Sequence, residues 1–271
     1  MEYVIIGGDE RFGCLAEQLC QHGRQAGTLF REAVPGVPAL QPEALTQARA
    51  IVVNYPLRPK GEKTSFEEII RQLPASARIF LCGPEHPKTL CRGRIVDLWA
   101  DDVLLNENAL LTAEGAVCAA MRASRRALRD TRCLVIGWGR IGRALTEILV
   151  ALGSRVTVAS RSLAKRNQAV IRGAEAVATD LIVRALPGHQ LVFNTAPEMV
   201  LDGQALRGAD AGAMVVDLAS PPYGVDLRAA WTLGLRAWRE PGIPGRYCPQ
   251  SAARVLLESL LRFEKERERH G

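Results

Sequence analysis

The stretch Cys133–Leu145, CLVIGWGRIGRAL, decides how this chain is read. A short apolar run leads into Gly137, Gly139 and Gly142, and an amphipathic helical pattern follows. Glycines at this spacing between a strand and a helix satisfy G-x-G-x-x-G, and each answers a separate need. The first permits a tight turn, the second lets backbone approach a pyrophosphate, and the third lets the helix lie close to the strand. The amides at the helix start then favour an anion. Gly137, Gly139 and Gly142, with Arg140 and Ile141 of the same turn, are the first candidate cofactor-binding residues.

The next strand is read in SRVTVASR, and it ends at Ser160, Arg161 and Ser162. A dinucleotide's ribose 2′-hydroxyl is normally held by an acid at this place, whereas a 2′-phosphate needs that acid absent and a cation present. Arg161 can pair with phosphate and both serine hydroxyls can donate, so these three residues favour NADP over NAD. FNTAP (193–197) and DLASPPYG (217–224) close later strands, and strand ends of an open α/β sheet face its ligand crevice. Asn194, Thr195 and Asp217 are therefore further cofactor candidates, and Ser220 is a substrate candidate.

The same unit occurs earlier in the chain. VIIGGDERFGCLAEQLCQHG (4–23) repeats the apolar run, glycine turn, helical pattern and closing glycine of LVIGWGRIGRALTEILVALG (134–153). In the earlier copy, Asp9 and Phe12 stand where the later one has Gly139 and Gly142. A carboxylate there would repel a pyrophosphate, so the first unit is expected to keep the fold and to have lost the nucleotide. Further short strands are read at 50–55, 78–83, 191–196 and 213–219, alternating with helical stretches. The expected fold is α/β, with two Rossmann-like domains of parallel strands joined by a long helix read at 112–130. Residues 1–111 form a degenerate substrate domain, 112–245 the NADP-binding domain, and 246–271 a C-terminal helix returning to the first domain.

Composition bounds the rest. The chain has 271 residues, 48% hydrophobic and 24% charged, which is ordinary globular usage. No apolar run reaches a membrane span, and the opening MEYVIIGG reads as a strand and turn, so a cytoplasmic protein is expected. Seven cysteines without C-x-x-C spacing and four scattered histidines give no disulfide framework and no metal site. The net charge of +6 is spread along the chain, which argues against a nucleic-acid surface and suits anionic small ligands.

Several stretches together resemble one family, the A-type subunits of dipicolinate synthase from spore-forming bacteria. They are IGGDER (6–11), TAEG (112–115), VIGWGRIGRAL (135–145), ASRS (159–162), NTAPEMVL (194–201), DLAS (217–220) and EPGIPGRYCPQSA (240–252). The conjunction is more specific than the glycine fingerprint alone. Pro221 and Tyr223 depart from the more basic, glycine-rich stretch that the family leads one to expect. The resemblance implies NADP-dependent oxidation of dihydro- or 4-hydroxy-tetrahydrodipicolinate, from the lysine branch, to pyridine-2,6-dicarboxylate. It further implies, as partner, the flavoprotein-like B-type subunit of the synthase, and the cytoplasm of the mother cell during sporulation as the setting. Self-association is left open.

Such chemistry must hold two carboxylates, remove a proton and present a ring carbon to the nicotinamide. Arg11, Arg58 and Arg246 are candidates for the carboxylates, because arginine pairs with them bidentately. Arg11 leads, since its turn should face the cleft between the domains. Asp9 and Glu114 are candidates for the base or an orienting group. Rival readings are a D-2-hydroxyacid- or shikimate-dehydrogenase-like oxidoreductase and a non-catalytic nucleotide-sensing protein. A D-2-hydroxyacid dehydrogenase needs an acid–histidine pair near the nicotinamide, whereas His189 precedes a strand and His270 is in the tail.

Overall fold

The computed structural model describes residues 1–56, 64–83, 85 and 94–268. The chain divides into two compact units, Met1–Asn108 with Pro244–Gly271, and Ala109–Ile243.

The first unit carries five parallel strands, β1 (Tyr3–Ile6), β2 (Ala26–Leu29), β3 (Ala50–Asn54), β4 (Arg78–Cys82) and β5 (Ile95–Asp97), in the order β2-β1-β3-β4-β5. Helix α1 (Glu10–Gln21) follows β1, and α2 (Phe66–Gln72) opens on a capping box between Ser65 and Glu68. Strands β1, β3 and β4 are continuous apolar runs, as sheets covered on both faces require. The strand order reverses between β1 and β3, and open α/β sheets bind ligands at such a point.

Helix α3 (Asp102–Ser124) runs from the first unit into the second. The sequence pattern places this helix at 112–130; it starts earlier because Asp101 caps it, accepting from the amides of Val103 (2.9 Å) and Leu104 (3.4 Å). It stops at Arg125, whose φ of +56° breaks the helical path. The division between the units falls inside this helix, at Asn108–Ala109 rather than at 111–112.

The second unit carries six parallel strands, β6 (Arg132–Ile136), β7 (Arg155–Ala159), β8 (Glu175–Val177), β9 (Leu191–Asn194), β10 (Met214–Asp217) and β11 (Arg236–Arg239). Their order, β11-β10-β9-β6-β7-β8, is the doubly wound order of dinucleotide-binding folds. Its helices are α4 (Arg140–Ala151), α5 (Leu163–Ile171), α6 (Ile182–Ala185), α7 (Gly203–Leu206) and α8 (Leu227–Thr232). After α9 (Ile243–Tyr247), helix α10 (Pro249–Glu268) packs along α1. Tyr3 donates to Glu264 of α10 at 2.6 Å, and Ser259 of α10 donates to Asp101 at 2.6 Å. Burial pushes the Asp101 carboxyl up, but the hydrogen bonds from Ser259 and Arg262 hold it below its ordinary range. The expected α/β architecture, with a long connecting helix and a C-terminal helix returning to the first unit, is what the chain adopts.

Among the described residues no helix is long and apolar enough to cross a membrane, and no group of three or more potential ligands could hold a metal.

Candidate functional site: two glycine turns

In the second unit the fingerprint glycines do what their spacing requires. Gly137 has a φ of +102°, and a Cβ there would stand 2.4 Å from the Thr195 hydroxyl. A Cβ on Gly142 would stand 2.2 Å from the carbonyl oxygen of Gly137, so α4 lies against the turn only because this residue has none. A Cβ on Gly139 would meet nothing within 4 Å. Gly139 is the N-cap of α4 and supplies no side-chain cap, so the first amides of a twelve-residue helix open onto that space. An open cradle at an uncapped helix start fits a dinucleotide pyrophosphate. Arg140 is exposed at the first helical position and Ile141 is half-buried behind it.

Beside this turn lies a cavity of about 210 Å³, lined by Gly137, Trp138, Ser160, Arg161, Ser162, Lys165 and Glu198, among others. The structure thus gathers the three residues that follow β7. Ser160 is buried; Ser162 caps α5, accepting from the Lys165 amide at 3.4 Å. Arg166 donates to the carbonyls of Ser160 (2.7 Å) and Arg161 (2.9 Å), which pins the loop. Arg161 reaches across to Glu198 with Nη1–Oε2 at 3.2 Å and Nη2–Oε1 at 3.1 Å.

Asn194, Thr195 and Asp217 hold the crevice together. Asn194 is wholly buried, donating to Asp217 Oδ1 (2.8 Å) and the Ala196 carbonyl (3.0 Å) and accepting from the Ala196 amide (3.1 Å). Thr195 donates to the carbonyl of Ile136 at 2.8 Å. The Asp217 carboxylate, without exposed surface, also accepts from the amides of Ala219 and Gly224, both at 3.3 Å, and stands 3.7 Å from Arg239 Nε. That satisfies a buried charge. The Arg239 guanidinium lies 4.0 Å from the ring centroid of Tyr223, whose φ is +70°. Ser220 is exposed on the loop after β10 and does not line the cavity.

The first unit shows the same turn differently furnished. Asp9 is the N-cap of α1 with φ −84° and ψ −170°, nearly the −85° and −167° of Gly139. Its Oδ1 accepts from the Arg11 amide at 3.2 Å. Arg11 grips the same carboxylate, Nε–Oδ1 at 2.8 Å and Nη2–Oδ2 at 2.7 Å, with its side chain only 12% exposed. A Cβ on Gly8 would strike the Phe12 ring at 2.3 Å, and one on Gly245 would stand 2.3 Å from Asp9 Oδ2. Two motifs far apart in sequence, GGDER and PGIPG, therefore meet at one carboxylate.

Around it lies a cleft of about 620 Å³, lined by the ends of β1, β2 and β3 together with Glu85, Gly245 and Arg246. Asp9 and Arg246 line it; Arg11 does not, being turned inward by its ion pair. Arg58 lies outside the described residues. Glu114 is on the exposed side of α3 and lines neither cavity.

No family model matches the chain. Over 173 residues, 64% of its length and 58% of the relative's, it is 28% identical to the A-type subunit of dipicolinate synthase from Bacillus subtilis. The solved A-type subunit of the Bacillus halodurans dipicolinate synthase superposes with a TM-score of 0.82 over 97% of each chain, at 23% identity. Its counterpart from Bacillus subtilis gives 0.81 over 100% of this chain and 98% of its own, at 21%.

The chain resembles the A-type subunits of dipicolinate synthase.

A transhydrogenase from Sinorhizobium meliloti shares the fold more distantly, with a TM-score of 0.69 at 17% identity over 98% and 94% of the two chains. Beside the stretches that carry the synthase resemblance, three residues escape sequence reasoning. Glu198 sits inside NTAPEMVL, but its partner Arg161 is 37 positions away. Arg239 shows its role only through Asp217, its neighbour in the β10–β11 register. Arg31 could have been found, because it follows β2 as Arg161 follows β7.

Proposed function

We propose that this chain is an NADP-dependent oxidoreductase that converts dihydro- or 4-hydroxy-tetrahydrodipicolinate to pyridine-2,6-dicarboxylate. It acts beside the flavoprotein-like B-type partner of the synthase in the cytoplasm of a sporulating mother cell. The observation that carries this reading is the open, uncapped glycine turn of the second unit in a chain that resembles the A-type subunits of dipicolinate synthase. The hydroxylated ring loses water, and the dihydro ring then loses a hydride and a proton to become aromatic. NADP, when bound, supplies the hydride acceptor.

The chain's own residues do the rest. Gly139 and the first amides of α4 hold the pyrophosphate. Arg161, with Lys165 nearby, holds the 2′-phosphate in place of the acid that an NAD site carries. Ser160 and Ser162 keep that loop in shape, and Asn194, Thr195 and Asp217 keep the crevice rigid. Of the two proton acceptors considered, Asp9 lines a cleft and Glu114 does not, so Asp9 is the better placed. Its pairing with Arg11 suits an orienting carboxylate.

The experiment is turnover with the hydroxylated tetrahydro substrate and either NADP or NAD, with and without the B-type partner. It is read as nicotinamide reduction and as pyridine-2,6-dicarboxylate formed. Formation of both products with NADP is expected. Failure with both cofactors in the presence of that partner removes the catalytic reading and leaves a nucleotide-binding protein. A D-2-hydroxyacid reading is not favoured. Of the two histidines among the described residues, His22 is at the end of α1 and His189 is buried below β9 against Thr157, at 3.0 Å.

A further inference from the structure

The first unit's cleft sits where the second unit holds its dinucleotide turn. Ile6 of β1 is opposite Leu29 and Val53, as Ile136 of β6 is opposite Ala159 and Asn194. By this register Arg31 takes the place of Arg161, and Asn54 the place of Thr195. The anion seat at the start of α1 is already filled, by the chain's own Asp9 carboxylate. What remains is a cleft of about 620 Å³ with two arginines, Arg31 and Arg246, on its wall.

Arg31 differs from the other arginines placed here. Arg11 is locked on Asp9, Arg161 on Glu198 and Arg239 beside Asp217. Arg31 is half-buried and Nη1 meets only backbone carbonyls, those of Gly7 at 3.4 Å and Asp9 at 3.2 Å. Its Nε is buried with no hydrogen-bond partner among the described residues. Burial pushes its pKa down, the sign of a charge that lacks full compensation. Such a guanidinium on a cavity wall is a seat for a carboxylate. The exposed side chains of Glu10, Glu32 and Glu85 also line the cleft. They disfavour a bare dianion and favour a ligand that brings a nitrogen donor with its carboxylate.

We propose that Arg31 anchors a ring carboxylate in this cleft, and that the acids around it select a ring that brings an N–H donor over one that does not. The inference rests on the ring-oxidation reading above and assigns the substrate's carboxylate to Arg31 in place of Arg11.

The test uses the full chain and three probes: pyridine-2,6-dicarboxylate, piperidine-2,6-dicarboxylate and benzene-1,3-dicarboxylate, titrated calorimetrically. Piperidine-2,6-dicarboxylate, whose ring nitrogen donates, should bind more tightly than pyridine-2,6-dicarboxylate or the benzene analogue, neither of which carries a ring donor. Arg31→Gln should cost about tenfold or more for piperidine-2,6-dicarboxylate, and Arg31→Lys less, while NADP affinity is unchanged in both. Because Arg31 also supports the Gly7 and Asp9 carbonyls, a second measurement uses the wild-type chain alone. Piperidine-2,6-dicarboxylate should protect Arg31 from an arginine-modifying dicarbonyl, mapped by peptide mass. Unchanged affinity in Arg31→Gln, no protection at Arg31, or equal binding of piperidine-2,6-dicarboxylate and the benzene analogue overturns the proposal. Turnover with an indifferent Arg31 would sink this inference and leave the function standing. Arg31-dependent ring binding without turnover would do the reverse.

Discussion

Asp9 and Gly139 occupy the same place in two copies of one strand–turn–helix unit, with almost the same backbone angles and opposite consequences. At Gly139 the helix start is uncapped and the space before it is open. At Asp9 a carboxylate caps the helix, an arginine neutralises the carboxylate, and Gly245 closes against it. One side chain thus fills at the first turn the space that stays open at the second. Fold and ligand are set by different atoms. The backbone makes the turn, and the residue at its middle position decides whether the helix start is filled or open.

The comparison breaks hardest at its glycines. Gly142→Ala drives a Cβ to within 2.2 Å of the Gly137 carbonyl oxygen, so α4 must shift. We expect a stability loss of about 1–3 kcal/mol by denaturant unfolding and no measurable dinucleotide binding. Gly139→Asp writes the first unit's solution into the second. It should fold with an unchanged midpoint, because nothing lies within 4 Å, and bind dinucleotide at least about a hundredfold more weakly. Retained affinity in Gly139→Asp would mean that the two turns do not differ in the way described.

Arg161→Ala sharpens the comparison at the other end of the site. NADP affinity should fall about ten- to a hundredfold while NAD affinity holds, as measured by fluorescence titration. Equal losses for both would take the 2′-phosphate away from Arg161.

The units should also part on acidification. His189 is buried in the second unit, and burial pushes its pKa below the ordinary 6.5. The unfolded chain then binds a proton that the folded one does not. The stabilisation is therefore present above pH 6.5 and lost as pH falls through the lower folded value. Hydrogen exchange between pH 7 and 5 should show the sheet of β6 to β11 loosening before that of β1 to β5. In His189→Gln the difference should shrink; an unaltered difference would assign it to other groups.

The smallest effect is expected at Glu198. Its pair with Arg161 is largely exposed, and a 2′-phosphate would have to displace it. Glu198→Gln should tighten NADP by no more than about fivefold. Weaker NAD binding in the same variant would instead make Glu198 the acceptor for the ribose hydroxyls.

By itself the sequence determined what depends on neighbours along the chain. The glycine spacing, the apolar runs of β1, β3, β4, β6, β9 and β10, the duplicated unit and the missing acid after β7 are local patterns, and the structure carries the strands within two residues of where those runs place them. Strands as short as AGTL, EAV or RAWR carry too few residues to show a period, and only pairing with the sheet makes them strands. The start of α3 at Asp102 depends on an Asp101 cap that α10 supports from more than 150 residues away. The tertiary structure alone decided which charges are spent. Arg11 and Arg31 are both arginines near one turn. One is consumed by Asp9, and the other lines a cleft while its Nε is buried without a hydrogen-bond partner among the described residues. An ion pair is a matter of a few ångströms in space, so no composition or periodicity distinguishes a guanidinium locked on a carboxylate from one that is not.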